Sequence, residues 1–107
     1  MTLEELRQNK RGEILRLANE HGATNVRVFG SFVHGTATAS SDLDLLVIVP
    51  QSDESPVRRA QRAHRCLRGL GIAKDVLVKT RAELERFRNV RASLEAEILE
   101  RGRLIYG

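Results

Sequence analysis

Three of the four aspartates in this chain stand at apolar strands, where aspartate is unusual. Asp42 and Asp44 open the run Leu43–Val49, and Asp75 opens a second apolar run. Residues two apart on a strand point to the same face, about 7 Å apart, so Asp42 and Asp44 face together, and Asp75 joins them if the strands are neighbours. Converging carboxylates repel unless cations lie between them. Hard oxygen ligands suit Mg²⁺ or Mn²⁺, which bridge to substrate phosphates.

A second feature precedes these acids. Gly30 and Ser31 end a strand and begin a predicted helical turn. Free backbone N–H groups and a hydroxyl can face an anion there, because glycine lets the backbone approach closely. Gly35 keeps the following loop compact. The sequence therefore predicts a triphosphate site beside a two-metal carboxylate site, which is suited to in-line attack on a phosphoryl group.

The two features together resemble a known signature. The run Gly30-Ser31-Phe32-Val33-His34-Gly35, followed by Ser41-Asp42-Leu43-Asp44, is similar to that of the DNA polymerase beta-like nucleotidyltransferase superfamily. It most resembles the single-domain minimal nucleotidyltransferases of bacteria and archaea. The resemblance spans essentially the whole chain, including the ending Gly102–Tyr106. Either motif alone is weak, whereas the two joined between apolar strands are specific.

The resemblance implies a role for each motif residue. Asp42 and Asp44 would contact both of two Mg²⁺ (or Mn²⁺) ions, and Asp75 would complete the ion that lowers the pKa of an attacking hydroxyl. The reaction would transfer AMP from ATP, the substrate, to a hydroxyl and release pyrophosphate. Ser41 is expected to bond local backbone rather than to act in catalysis. The predicted nucleotide-binding residues are Gly30, Ser31, Gly35 and Ser41.

The resemblance also implies a partner. Minimal nucleotidyltransferases are often paired with small helical HEPN proteins in toxin–antitoxin modules, so the expected acceptor is a HEPN toxin that becomes AMPylated by a type VII-like antitoxin. Two alternatives stay open. One is transfer to a small molecule of the aminoglycoside type or to an RNA end. The other is a non-catalytic antitoxin that only binds its partner.

The motifs need a small sheet to position them. The predicted fold is α+β in two layers, a mixed sheet of about four strands with helices packed on one face, as in the polymerase beta-like nucleotidyltransferases. Thr80 and Glu83 form a capping-box pattern, as do Thr2 and Glu5. The predicted strands are Asn25–Phe29, Leu43–Val49, Ala73–Lys79 and Arg103–Tyr106. The predicted helices run from Thr2 to Gly22, from Val57 to Leu70, from Thr80 to Phe87 and from Ala92 to Arg101.

Length and composition restrict the class of protein. The 107 residues predict a single domain over 1–107, and 41% hydrophobic with 30% charged residues is typical of a globular protein. The net charge of +4 only mildly favours phosphate-rich ligands. One cysteine and no long apolar run favour a cytoplasmic protein without a membrane segment.

The predicted helix Val57–Leu70 places four arginines opposite an apolar face. Such a face is usually a solvated surface, and a protein or nucleic-acid contact is the alternative; nucleic acid is not favoured, because aromatic residues are few. His21 and His64 are predicted to be surface residues. The four arginines are Arg58, Arg62, Arg65 and Arg68.

Overall fold

The computed structural model describes residues 3–30, 33, 42–70, 74–87, 98 and 101–107. Its strands are β1 (Asn25–Phe29), β2 (Leu43–Val49), β3 (Lys74–Thr80) and β4 (Arg103–Tyr106). Its α-helices are α1 (Leu3–Asn9), α2 (Arg11–His21), α3 (Pro56–Cys66) and α4 (Arg81–Phe87), with a 3₁₀ turn at Arg68–Leu70. The predicted mixed α+β class and four-stranded sheet are confirmed.

The sheet has the order β3-β2-β1-β4. β1 pairs antiparallel with both β2 and β4, whereas β2 and β3 are parallel. The start of β2 therefore lies beside the end of β1 on one side and the start of β3 on the other. α3 connects the parallel strands β2 and β3 along the chain. It therefore returns the chain from the end of β2 to the edge of the sheet where β2 and β3 begin.

The helices α1, α2 and α3 cover one face of the sheet. Their apolar side chains pack on inward-facing residues of β1, β2 and β3, and each fully buried one stabilises the fold by about 1.5–3 kcal/mol. On the opposite face Leu84 of α4 and Ile98 pack on Leu46 and Ile48 of β2 in a smaller cluster. The predicted packing on one face thus holds for α1, α2 and α3, and α4 is the exception.

The N-terminal helix differs from the prediction because it is divided. Lys10 has φ −117° and ψ 17°, which interrupts the helix between α1 and α2. Hydrogen bonds from Lys10 N to Leu6 O (3.1 Å) and from Ile14 N to Lys10 O (3.2 Å) still bridge the break. Gly22 ends α2 as predicted, in the left-handed conformation with φ 62°. Thr2 of the proposed first capping box lies outside the described residues.

The helix predicted over Val57–Leu70 begins one residue earlier and ends at Cys66. Ser55 caps it, since the Ser55 hydroxyl accepts a hydrogen bond from Arg58 N (3.2 Å), and Pro56 occupies the first turn. Arg16 Nη2 donates to Cys66 O (2.7 Å), which satisfies a terminal carbonyl and ties α2 to the end of α3.

The second capping box is confirmed. Glu83 N donates to Thr80 Oγ1 (3.2 Å), and Thr80 N donates to Glu83 Oε1 (2.8 Å). Most of the helix predicted over 92–101 lies outside the described residues. Among the helices described, none has both the length and the apolarity to cross a bilayer.

Candidate active site

Asp44 lies at the edge where three strands bring their ends together. It pairs with Phe29, the last residue of β1, and is in parallel register with Asp75 of β3. Residues in register on neighbouring strands point to the same face and are about 4.8 Å apart. Asp42 immediately precedes β2 and is exposed. The structure thus brings Asp44 and Asp75 together on one face and places Asp42 beside them.

Gly30 packs its backbone directly against the Asp44 carboxylate. Its φ of 76° lies in the left-handed region, which favours glycine. A Cβ at this position would collide with Asp44 Oδ2. The chain turns tightly here, because Val33 N donates to Gly30 O (3.1 Å). A glycine is therefore needed both for the turn and for the position of the acid.

The environment of Asp44 disfavours its ionised form. Burial raises the pKa of the Asp44 carboxyl above its ordinary value, and the charges of Asp75 and then Asp42 raise this pKa further. Asp44 is half-buried, whereas Asp75 and Asp42 are exposed. A cation placed among these carboxylates would relieve the repulsion and favour ionised Asp44.

The donor set fits a hard divalent cation by its chemistry, because all three side chains offer carboxylate oxygens. Within the described residues, no three histidine, cysteine, aspartate or glutamate side chains are gathered so as to enclose an ion. The fit therefore rests on the oxygen donors and on the electrostatic penalty at Asp44.

The other predicted nucleotide-binding residues, Ser31, Gly35 and Ser41, lie outside the described residues. Gly30 is the one member of that set whose position is described, and it adjoins Asp44. The roles of the three remaining residues stay predictions.

Comparison with known proteins agrees with this geometry. The profile of the nucleotidyltransferase domain matches residues 11–105. The chain belongs to the nucleotidyltransferase domain family. No curated protein matches this nucleotidyltransferase in sequence.

Solved structures of similar fold include a protein named as a minimal nucleotidyltransferase. It is 31% identical, covers 95% of this chain and 94% of its own, and has a TM-score of 0.59. A toxin–antitoxin structure with AMP-PNP is 20% identical over 90% of this chain and 72% of its own, with a TM-score of 0.56. A mutant of the toxin–antitoxin pair MntA–HpeT is 16% identical over 90% and 71%, also with a TM-score of 0.56. The two toxin–antitoxin structures show a shared fold.

An ion pair that was not predicted from the sequence fixes the far end of β3. Arg59 of α3 is buried, and its guanidinium donates to both Glu83 carboxylate oxygens (2.6 and 3.2 Å) and to Val78 O (3.0 Å). The helical period gave the signal, since Arg59 precedes the buried Ala63 and Cys66 by four and seven residues. This arginine supports the strand that carries Asp75.

The prediction that His21 is a surface residue is wrong. His21 is buried at the end of α2, where Arg62 Nη2 donates to its Nδ1 (3.3 Å). Burial lowers the pKa of His21, and the positive charge of Arg62 lowers it further. The reason is that α3 lies over the end of α2, which helix periodicity alone does not show.

Two cavities lie away from the acids. One, of about 350 Å³, is lined by residues of α1, α2 and the C-terminal strand, among them Tyr106. The other, of about 310 Å³, lies between α2 and α3. Neither is lined by Asp44 or Asp75, so both are separate from the candidate active site.

Proposed function

We propose that this nucleotidyltransferase transfers AMP from ATP to a hydroxyl group of a small helical HEPN toxin, which it thereby neutralises. The observation that carries the proposal is the placement of half-buried Asp44 beside Asp75, with the Gly30 backbone against the Asp44 carboxylate. Paired carboxylates next to a tight glycine turn are what a metal-assisted phosphoryl reaction requires.

In this proposal Asp42, Asp44 and Asp75 hold two Mg²⁺ or Mn²⁺ ions. When bound, these ions neutralise phosphate charge and lower the pKa of the acceptor hydroxyl. The Gly30 turn, with Ser31, Gly35 and Ser41, holds the phosphates. The acceptor oxygen bonds to the α-phosphorus while the bond to the pyrophosphate oxygen breaks. The hydroxyl proton passes to solvent water, which has access to this site because Asp75 is exposed.

Two features of the toxin–antitoxin structures support the nucleotide and the acid pair of this proposal, and the toxin in each of them supports the choice of acceptor. One of them was solved with AMP-PNP, an ATP analogue. The other carries two aspartate-to-glutamate substitutions two positions apart, the spacing that separates Asp42 from Asp44.

The test is to incubate the chain with Mg²⁺, ATP and the helical protein encoded beside its gene, and to measure the intact mass of that protein. The proposal predicts a gain of one AMP, located on a hydroxyl side chain by fragmentation. Asp44→Asn should prevent the gain, whereas Asp53→Asn, an exposed aspartate outside the site, should not.

Three results would contradict the proposal. A genome without a helical neighbour, or AMP transfer to an RNA end or an aminoglycoside with no partner present, would exclude the toxin as acceptor. Toxin neutralisation by the Asp44→Asn chain at full strength would identify binding rather than transfer as the main function.

A further inference from the structure

The arginines of α3 and the following turn divide into two groups. Arg59 is bound to Glu83, and Arg62 Nη1 forms an ion pair with Glu54 Oε1 (2.7 Å). By contrast, the side chains of Arg58, Arg65 and Arg68 are exposed, and none has a hydrogen-bond or ion-pair partner among the described residues. Arg59 therefore stabilises the fold, Arg62 is held in a partly exposed ion pair, and the outward arginines are available to a ligand.

The outward arginines lie on a continuous surface. Arg58 and Arg65 are two helical turns apart on the same side of α3, about 10 Å along its axis. Val57 at the start of the helix is 66% exposed, the most exposed large apolar side chain of the described residues. We call the following set the docking surface: Val57, Arg58, Gln61, Arg65 and Arg68, all exposed.

One end of the docking surface lies at the catalytic edge of the sheet. α3 follows the end of β2 and precedes the start of β3, where Asp75 stands, so Arg65 and Arg68 lie toward the edge that holds Asp75 and Asp44. The position of Gly69 agrees, because a Cβ there would lie 3.7 Å from Glu13 Oε1 near the start of α2. The surface reaches the same edge as the acids but lies on the other side of the sheet, because α3 packs on the face that carries Leu43 and Val76 and the acids share the opposite face with Leu46 and Leu77.

Next to the docking surface is the cavity of about 310 Å³ between α2 and α3. Arg16, Arg62 and Arg65 line it, together with Glu20 and Cys66. Arg62 is paired with Glu54, and the guanidinium groups of Arg16 and Arg65 against the Glu20 carboxylate leave the cavity cationic, so it continues the charge of the docking surface. A side chain that enters it should be acidic.

We infer that the docking surface binds an acidic helix of the acceptor protein and so holds that protein at the edge of the sheet where the acids lie. The inference rests on the proposed function. Arg58, Arg65 and Arg68 are spaced by seven and three residues, which matches carboxylates along one side of a helix. Protein interfaces are enriched in arginine, and Val57 adds an exposed apolar side chain at the start of this surface. The surface has no aromatic side chain for nucleobases to stack on.

The experiment measures fluorescence anisotropy with three probes: a labelled helical peptide with glutamates at three- and four-residue intervals, the same peptide with glutamines, and a single-stranded RNA. The glutamate peptide should bind, and the glutamine peptide should bind at least about tenfold more weakly. The double variant Arg65→Glu, Arg68→Glu should bind the glutamate peptide more weakly than the wild type by a similar factor. Arg81→Glu with Arg86→Glu, an equal change of charge on exposed arginines of α4, should leave it unchanged.

The outcomes separate this inference from the proposed function. Asp44→Asn should keep peptide binding, so binding survives even if AMP transfer is never found. The Arg65→Glu, Arg68→Glu chain should bind MgATP like the wild type, which shows that it is folded. The inference would be overturned if the Arg65→Glu, Arg68→Glu chain bound the glutamate peptide as tightly as the wild type does. The inference would also be overturned if RNA bound more tightly than the glutamate peptide and the Arg65→Glu, Arg68→Glu chain lost that RNA binding. The surface would then be assigned to nucleic acid.

Discussion

The contact between Gly30 and Asp44 determines where the central carboxylate lies. The absence of a Cβ at Gly30 lets the backbone touch the Asp44 carboxylate, and burial there raises the pKa of that group. Asp75, next to it in register, adds repulsion. The site therefore has an electrostatic penalty in the free protein, which a bound cation and nucleotide would remove.

Gly30→Ala should damage both activity and stability. The positive φ of 76° costs a residue with a Cβ about 1–2 kcal/mol of unfolding free energy, and the new methyl group displaces the Asp44 carboxylate. AMP transfer should fall about a hundredfold. Urea denaturation and transfer assays measure the two effects.

Gly12→Ala is the matched control. Gly12 lies in α2 with open space around its Cβ position, so this change should raise the unfolding free energy by about 0.5–1 kcal/mol and leave transfer unchanged. Wild-type transfer by the Gly30→Ala chain would show that the contact with Asp44 has no part in positioning the acid.

At the scale of elements, the Arg59–Glu83 pair joins α3 to the end of β3 and to α4. Arg59→Ala removes the hydrogen bonds of the buried guanidinium to half-buried Glu83 and to Val78 O, so it should lower the unfolding free energy by about 1–3 kcal/mol. Arg58→Ala, at the exposed neighbouring position, should change it by no more than about 0.5 kcal/mol. Denaturation by urea at neutral pH provides the comparison.

The same pair should make stability depend on pH. The hydrogen bond from Arg59 lowers the pKa of Glu83 from 4.5 to about 2, against the opposing effect of burial. The unfolded chain takes up this proton near pH 4.5 and the folded chain only near pH 2, so the stabilisation is complete above about pH 5 and is lost as the pH falls through that interval.

The Glu83→Gln chain isolates this contribution. Its unfolding free energy should be lower than that of the wild type at neutral pH, and the difference should shrink as the pH falls from 5 toward 2. A difference that is constant over this range would show that Glu83 is not the group responsible.

Local patterns were sufficient to predict several elements. The strands Asn25–Phe29 and Leu43–Val49 and the Thr80–Glu83 cap follow from alternation, an apolar run and a capping pair, and the structure confirms them. The break at Lys10 could not be predicted, because apolar spacing continues across it and tertiary packing fixes the two helix directions.

Burial of polar groups was the harder part to predict. The sequence indicated that Asp44 and Asp75 share a face, and the parallel register confirms it. It did not show that Asp44 is half-buried while Asp42 is exposed, since this depends on the pairing with Phe29 of β1. Arg59 and His21 were missed for the same reason: their partners come from distant parts of the chain.

At the scale of the whole molecule, the order β3-β2-β1-β4 creates the site. It places the end of β1 and the starts of β2 and β3 side by side, so that a glycine turn and two acids from separate segments meet. The match of the nucleotidyltransferase domain over residues 11–105 covers all three segments. We propose that catalysis belongs to the acid edge and partner binding to the docking surface on α3.

The central claim is that the acids of this edge catalyse attack at the α-phosphorus of ATP. The most direct measurement compares label transfer from ATP labelled at the α- or the γ-phosphate, with Mg²⁺ and the helical partner protein. We expect transfer of the α-label alone, and a loss of about a hundredfold or more in Asp44→Asn but not in Asp53→Asn. Transfer of the γ-label, or α-label transfer that persists in Asp44→Asn, would contradict it.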